Sequence, residues 1–422
     1  MRTSKRWLIV HFMDDLSAWV AQQRWYAGKS HEPRFRVLDA QSVPGATRYL
    51  LMDDAGASPV LYQVPVARTV DPIDADAVIH QDADGYLIDA ARHPAFTIGL
   101  LAEMGVDVSD VTGSRVLTGE QSNTSIVFDQ DGQPTMILKL FRTLHHGENP
   151  DVTVQRALSN AGSPYVPRFI GNLDVEWPDI GRESGVAHGT LGFAQEFLPG
   201  VRDGWAIALE AAREGRDFTQ AARDLGTAIA GVHGALGAAL ETVAAVPDDV
   251  TLTGIAWRRR LAIAAAEVPA VAERLRQIDA VYTAALARPW PRLQRIHGDL
   301  HLGQVLAVPY GGWRIVDFEG EPLRPMEERA IPDLPLRDVA GMLRSFDYAG
   351  AVGGGPDAAG WAVDCRVAFL EAYAGSEGSV ELDPLILRAL VLDKAVYESI
   401  YESRNRPDWL PVPLAGIDAA LA

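Results

Sequence analysis

The stretch His297-Gly-Asp-Leu-His-Leu-Gly-Gln304, followed at a distance by Val316-Asp-Phe-Glu-Gly-Glu321, decides how this chain is read. It places two carboxylates, Asp299 and Asp317, eighteen positions apart. Between them Gln304–Val308 reads as a strand, Pro309-Tyr-Gly-Gly312 as a turn and Trp313–Val316 as a returning strand. Four or five residues out and four back cover about 13–17 Å each way, at roughly 3.3 Å per residue. The chain therefore returns to its starting end, where Asp299, Gln304 and Asp317 can converge. Two acids and an amide at one end of a hairpin suit a divalent cation and a proton acceptor. That is the apparatus of phosphoryl transfer, where catalysis is mostly positioning and charge neutralisation.

The rest of the composition narrows the class. At 422 residues the chain is too long for one ordinary core, so two or three domains or lobes are expected. Apolar content of 48% and charged content of 22% are those of a globular enzyme. A net charge of −18 argues against nucleic acid as a partner, because a phosphate backbone needs a basic face. The single cysteine, Cys365, excludes an internal disulfide framework and points to a reducing cytoplasm, with the thiol as a small core residue. Arg2, Lys5 and Arg6 before Trp7–Met13 imitate a signal peptide, but the apolar run is short, contains His11 and has no small-residue cleavage site. No stretch has membrane-spanning composition. A cytoplasmic monomer is the expectation.

Along the chain, residues 14–25 have the spacing of an amphipathic helix, broken by Trp25-Tyr-Ala-Gly28. Strands are expected at Phe35–Val37, Tyr49–Met52 and Val60–Val64, giving a small α+β cap over 1–100. A β-rich unit over 101–200 follows, with strands at Ser114–Leu117, Thr124–Phe128, Met136–Phe141 and Phe193–Gly200, and a helix from Pro150 to Leu158. Strand, loop, strand, lysine-bearing strand, helix, strand is the order of a kinase N-lobe. Residues 201–422 turn helical, with helices expected at Arg213–Leu240, Trp257–Val268, Ala270–Ala287, Asp338–Tyr348, Asp357–Ala374 and Asp383–Ser403. The fold class is α+β.

Asp299 has the place of a general base that accepts the proton of an attacking hydroxyl, with His301 beside it facing the substrate. Gln304 offers a neutral oxygen and Asp317 a carboxylate at a buried strand end, a pair suited to Mg²⁺. Glu319 either joins them or bonds backbone amides. Lys139 interrupts an otherwise apolar strand, a setting that fits contact with nucleotide phosphates. The turn Glu120-Gln-Ser-Asn-Thr-Ser125 offers hydroxyls from Ser122, Thr124 and Ser125 to phosphate, without the glycines of a P-loop. Near the C-terminus, Tyr397 and Tyr401, like Glu398 and Glu402, are four apart and share helix faces. Arg404, Asp408 and Trp409 follow around Pro407. Aromatics beside acids suit a sugar, which presents an apolar face and hydroxyls. His145-His146 and His233 have no metal-ligand spacing.

His297-Gly-Asp-Leu-His301 with Asp317-Phe-Glu319 resembles the catalytic and metal loops of the aminoglycoside-phosphotransferase-like kinases. Gln23-Arg-Trp-Tyr-Ala-Gly28, Glu120–Ser125, Asp317-Phe-Glu-Gly-Glu-Pro322, Pro335-Leu-Arg-Asp-Val-Ala-Gly341 and Tyr397-Glu … Tyr401-Glu … Arg406-Pro-Asp-Trp409 resemble the actinobacterial maltokinases. The resemblance implies a cap fused to a bilobal kinase fold with a mostly helical C-lobe. It also implies ATP at a hinge near Gln195 and Phe197, Mg²⁺ on Gln304 and Asp317, and Asp338 as a structural aspartate. One departure is visible: Thr153 stands where the maltokinases carry the glutamate that pairs with the nucleotide lysine, so Lys139 needs another acid, Asp151 or Glu148. The related glucosamine kinases are a second branch, and Glu398, Glu402 or Asp408 would serve a protonated amine. Phosphorylation of glucosamine on its 6-hydroxyl is slightly favoured over that of maltose on its anomeric hydroxyl. An aminoglycoside-type kinase and a nucleotide-binding pseudokinase are the further alternatives.

Overall fold

Alternating apolar residues between Arg34 and Ala67 do form strands, and they belong to the larger of two sheets in the first part of the chain. The computed structural model of the protein describes residues 2–56, 58–71, 74–117, 122–309, 311–321 and 324–422, with residues 2–11 as backbone only. Expectations placed on Glu120 and Gln121 of the phosphate turn, on Tyr310 of the hairpin and on Pro322 lie outside the described residues. Contacts divide the chain into two units, Met1–Val152 with Arg168–Pro199, and Thr153–Pro167 with Gly200–Ala422.

In the first unit, helix α1 (Arg2–Gln22) precedes strands β1 (Phe35–Val43), β2 (Ala46–Asp53), β3 (Val60–Thr69), β4 (Val78–Asp82) and β5 (Gly85–Asp89). Helix α2 (Pro94–Glu103) leads into β6 (Val111–Val116), β7 (Asn123–Gln130), β8 (Gln133–Phe141) and β9 (Thr143–Leu144). Helix α3 (Pro150–Asn160), β10 (Phe169–Pro178) and β11 (Val186–Glu196) follow, and the division between units falls inside α3. The first sheet runs β1-β2-β3-β5-β4 with β9 against β3, and the second runs β10-β11-β8-β7-β6. The strand expected to run on to Gly200 ends at Glu196, because Pro199 and Gly200 (φ 69°) cannot continue a ladder.

Gln63 ties the two sheets together. It is fully buried, and its amide donates to the carbonyls of Phe141 (2.8 Å) and Leu191 (2.9 Å). The cap motif is also structural. The Tyr26 hydroxyl donates to Asp53 at 2.7 Å, and Trp25 covers the guanidinium of buried Arg142 at 5.1 Å. Burial alone would push the Asp53 carboxyl up. Hydrogen bonds from the Arg34 N–H, the Tyr26 hydroxyl and the Ala55 N–H outweigh it and hold that group below its ordinary value.

The second unit is helical around one small sheet. Strand β12 (Arg202–Asp203) leads into α4 (Gly204–Glu214), α5 (Thr219–Ala239), α6 (Pro247–Glu267) and α7 (Pro269–Leu286). The hairpin β13 (Val305–Ala307) and β14 (Trp313–Ile315) pairs Val305 with Ile315 and Ala307 with Trp313. Helices α8 (Met326–Arg329), α9 (Leu336–Gly353), α10 (Ala358–Gly375), α11 (Pro384–Asn405) and α12 (Pro411–Leu421) complete it. The helix expected over Arg213–Leu240 is two helices, because Gly215 caps α4 in the left-handed region (φ 64°). Cys365 is buried within α10, and burial pushes its thiol up to about 12. Among the described residues no helix is long and apolar enough to cross a membrane.

Candidate active site

The segment from Ile296 to the start of β13 is held by one buried carboxylate on α9. Asp338 accepts hydrogen bonds from the backbone N–H groups of His297 (2.8 Å) and Gly298 (2.9 Å) and from His233 Nε2 (3.1 Å). Burial opposes its charge. The His233 hydrogen bond, the imidazoles of His233 and His297 beside it and the Gly298 N–H overcome that, so Asp338 stays below its ordinary value. The structural role implied for Asp338 matches this arrangement. His233, without metal-ligand spacing in the sequence, is the support behind it, with Nδ1 on the Tyr373 hydroxyl at 2.8 Å. No local pattern marked it, since its partners are 105 and 140 positions away.

His297 then orients the next residue. Its Nε2 donates to the Val316 carbonyl (3.0 Å) while Nδ1 accepts from the Asp299 N–H (3.3 Å), which defines the tautomer. Gly298 takes φ 84° to make the turn, and Gly341 lets α9 come so close that any Cβ there would collide with the Leu300 carbonyl. The Leu302 N–H donates to Ser345 on the same helix at 3.0 Å. The loop that carries Asp299 is thus fastened at its start and again three residues beyond Asp299.

The hairpin brings its two ends together as the spacing required. Gln304 and Asp317 are in contact, with the amide Nε2 3.2 Å from the Asp317 Oδ2. Asp317 holds φ 67°, one of two non-glycine residues at positive φ among those described. A left-handed aspartate is a strained conformation that aims a carboxylate where an extended strand would not. With its amide rotated from the orientation seen here, Gln304 would present an oxygen beside Asp317, and that pair of hard oxygen donors fits Mg²⁺. Glu319 follows two residues on, half-buried, near Arg329, whose guanidinium is lowered by burial against the pull of Glu319, Glu321 and Asp299. His301 is held in the same loop by the Gly303 N–H on its Nδ1 (3.0 Å). Burial lowers its imidazole pKa, with Asp299 opposing.

In the first unit, Lys139 on β8 meets Asp151 at 3.0 Å, and Asp151 is 2% exposed. The acid left open by Thr153 is therefore supplied two residues earlier on α3. Ser125 is the cross-strand partner of Lys139, so the two share one face of the sheet. Thr124 does not. It pairs with Leu140 on the opposite face, where its hydroxyl accepts from Arg142 Nε at 2.8 Å. Arg142 in turn reaches Asp89 at 2.5 Å. The expectation that Thr124 serves phosphate is corrected: strand alternation turns it to the cap side. Ser122 lies just before β7 and is exposed. Gln195 pairs with Ile137, and the Phe197 N–H is taken by the Thr135 carbonyl at 2.9 Å.

The C-terminal run divides. Tyr397 on α11 lines a 50 Å³ cavity with Gly298, Glu321, Arg337, Asp393 and Lys394, and burial raises its hydroxyl pKa. Glu398 is clamped by Arg344, whose Nε and Nη2 stand 2.9 and 2.7 Å from one carboxylate oxygen. Glu402 is 1% exposed, bonded to Tyr348 (3.1 Å) and Arg406 (2.7 Å), and cannot meet a ligand from there. Arg404 points away to Glu267 on α6. These two are corrections to the expected sugar contacts. Their physical reason is that residues 402 and 404 fall on faces of α11 committed to packing and to a surface ion pair. Tyr401 and Asp408 are exposed, and Trp409 stacks under Arg406 at 4.3 Å. Lys394, not singled out from sequence as a site residue, stands 3.5 Å from Asp299.

Known proteins resemble this chain over most of its length. Residues 114–377 match the model of the phosphotransferase enzyme family, and residues 19–92 that of the maltokinase N-terminal cap domain. A glucosamine kinase of Streptacidiphilus jiangxiensis is 32% identical over 328 residues, 72% of each chain. A glucosamine kinase of Mycolicibacterium smegmatis is 27% identical over 425 residues, covering 91% of this chain and 98% of its own. The solved structure of a glucosamine kinase in complex with glucosamine, ADP and inorganic phosphate superposes with a TM-score of 0.73 at 23% identity, covering 96% of this chain and 99% of that one.

Proposed function

The chain belongs to the phosphotransferase enzyme family, and from that premise we propose that it is an ATP- and Mg²⁺-dependent kinase of glucosamine, acting on the 6-hydroxyl. The observation that carries the reading is Asp299 on a loop braced by Asp338, in the same segment as Gln304, which is itself joined to Asp317. Glucosamine is the acceptor named for both relatives, at 32% and 27% identity. The chain is organised as a cap over 1–100, a nucleotide-binding N-lobe over 101–200 and a helical C-lobe over 201–422.

In the reaction the acceptor oxygen forms a bond to the γ-phosphorus, the bond from that phosphorus to the β–γ bridging oxygen breaks, and ADP leaves. Asp299 takes the hydroxyl proton. Lys139, with Ser122 and Ser125, holds nucleotide phosphates, and the segment Gln195–Phe197 receives the base. His301 and Tyr397 position the sugar. Gln304 and Asp317, with Glu319, would hold the metal. A bound Mg²⁺ neutralises charge on the phosphates during transfer. Glu398 and Asp408 are the carboxylates left to meet the amine, beside Tyr401 and Trp409.

A second reading, maltose phosphorylation at the anomeric hydroxyl, is favoured by the cap match over 19–92. ADP release measured with glucosamine, maltose, glucose and kanamycin separates the two readings and the aminoglycoside alternative. Turnover with none of them would sink the kinase reading. Asp299→Ala is expected to lower kcat by a factor on the order of 10²–10⁴ while nucleotide binding is retained. Undiminished turnover would remove Asp299 from the role of base.

A further inference from the structure

We propose that Lys394 is a positioning residue for the transfer, holding the Asp299 carboxylate so that one oxygen rests on the ammonium and the other meets the acceptor hydroxyl; this rests on the kinase reading above. The ammonium stands 3.5 Å from Asp299 Oδ1, with the lysine side chain 33% exposed and the aspartate 26%. Ordinary helix chemistry would have turned that lysine elsewhere. Glu398, four residues on, is the acid a lysine on α11 would usually meet, but Arg344 holds it through two contacts. The adjacent acid, Asp393, is likewise taken by Arg260 at 2.9 and 2.7 Å. With both neighbouring carboxylates engaged, Lys394 reaches off its helix to the catalytic loop.

The loop holds the backbone of Asp299 and leaves its side chain to be fixed separately. His297 fixes the N–H of Asp299 at 3.3 Å, and Asp338 fixes the two residues before it. None of these contacts settles the torsions of the carboxylate. Lys394 does so from a different element, through its ammonium against Oδ1. It lines the same small cavity as Tyr397, so the helix that supplies the sugar contact also orients the base.

The test is a double-mutant cycle on Lys394→Met and Asp299→Asn, with Lys394→Arg as the conservative variant. With the sugar that the wild-type protein turns over, Lys394→Met is expected to lower kcat by about 10- to 100-fold, the scale of a misplaced reacting group. KM for ATP should stay within about twofold, and Lys394→Arg should recover most of the rate. In the Asp299→Asn background the same lysine change should cost less than about threefold, because the lysine acts through Asp299. An equal loss in both backgrounds, or Lys394→Met within threefold of wild type, would overturn the proposal. A crystal structure of the Lys394→Met protein provides an arm independent of any acceptor. The Asp299 carboxylate is expected to leave its rotamer or to split between two. An unmoved carboxylate refutes the inference even if no sugar is turned over and the kinase reading itself has failed.

Discussion

Asp151 supplies the acid that Lys139 needs, and its burial makes the pair sensitive to loss of either partner. Asp151→Asn is expected to raise KM for ATP about tenfold or more, while KM for the acceptor stays unchanged. An unchanged nucleotide KM in steady-state kinetics would show that the lysine is held by other means. Asp53 makes a second test, in the cap. Its folded-state pKa lies below the ordinary 3.8, so its contribution is fully present above that value and is lost as pH falls through the depressed pKa. Asp53→Asn should cost roughly 1.5–3 kcal/mol at pH 7, the range for hydrogen bonds to a charged group. The gap to wild type in urea unfolding should close on acidification below pH 4, and a gap independent of pH would contradict the assignment. The meeting of Gln304 with Asp317 was legible in the letters because a hairpin of known rise brings its ends together. Asp151 was only one of two named options, since the rotation of α3 against β8 is not written in local spacing. Lys394 was missed for a similar reason: its direction depends on Arg344 and Arg260 occupying the acids it would otherwise meet.

Helix α9 governs the loop that carries Asp299 as an element. It contributes Asp338 to the amides of His297 and Gly298, Ser345 to the N–H of Leu302, and the small surface of Gly341 under Leu300. The close approach at Gly341 makes that glycine a steric requirement within a helix that would otherwise favour alanine. Gly341→Ala should therefore displace the loop, with kcat falling by more than about tenfold and the melting temperature dropping. A variant with wild-type kcat and a higher melting temperature would show that helix propensity dominates and that the contact is slack. The C-terminal helices were readable from apolar periodicity and flanking prolines, and α7, α9, α10 and α11 begin within two residues of expectation. Helix α2 and strand β10 were not read at all, and α1 begins about twelve residues before the expected helix. The basic and apolar N-terminal residues imitate a targeting segment, which hid α1, whereas the strict alternation of Asn172-Leu-Asp-Val-Glu-Trp177 in β10 is a strand signal that was passed over. The tyrosine and glutamate pairs of α11 gave the right period and could not say which face is covered, which is why Glu402 and Arg404 were assigned to the sugar.

For the whole molecule, the proposed groups for phosphate and metal lie in different units, Lys139 and Ser125 in the first and Gln304 and Asp317 in the second. Ligand linkage tests them together without reference to any acceptor. A ligand that binds only the folded state adds about 2.7 kcal/mol at a hundred times its Kd. Per-residue unfolding entropies make that a rise in melting temperature on the order of 3 °C for a chain of this size. ADP with Mg²⁺ should therefore raise the melting temperature of the wild-type protein by about that amount, and ADP with EDTA by less. The difference between the two is the metal increment. Asp317→Asn should remove that increment and leave the EDTA value in place, because the nucleotide keeps Lys139 and loses only the cation. Lys139→Met should depress both values, because the charge lost serves the phosphates whether or not the metal is present. An Asp317→Asn protein that keeps the full Mg²⁺ increment would place the cation elsewhere, and the strained left-handed backbone at Asp317 would then need another explanation.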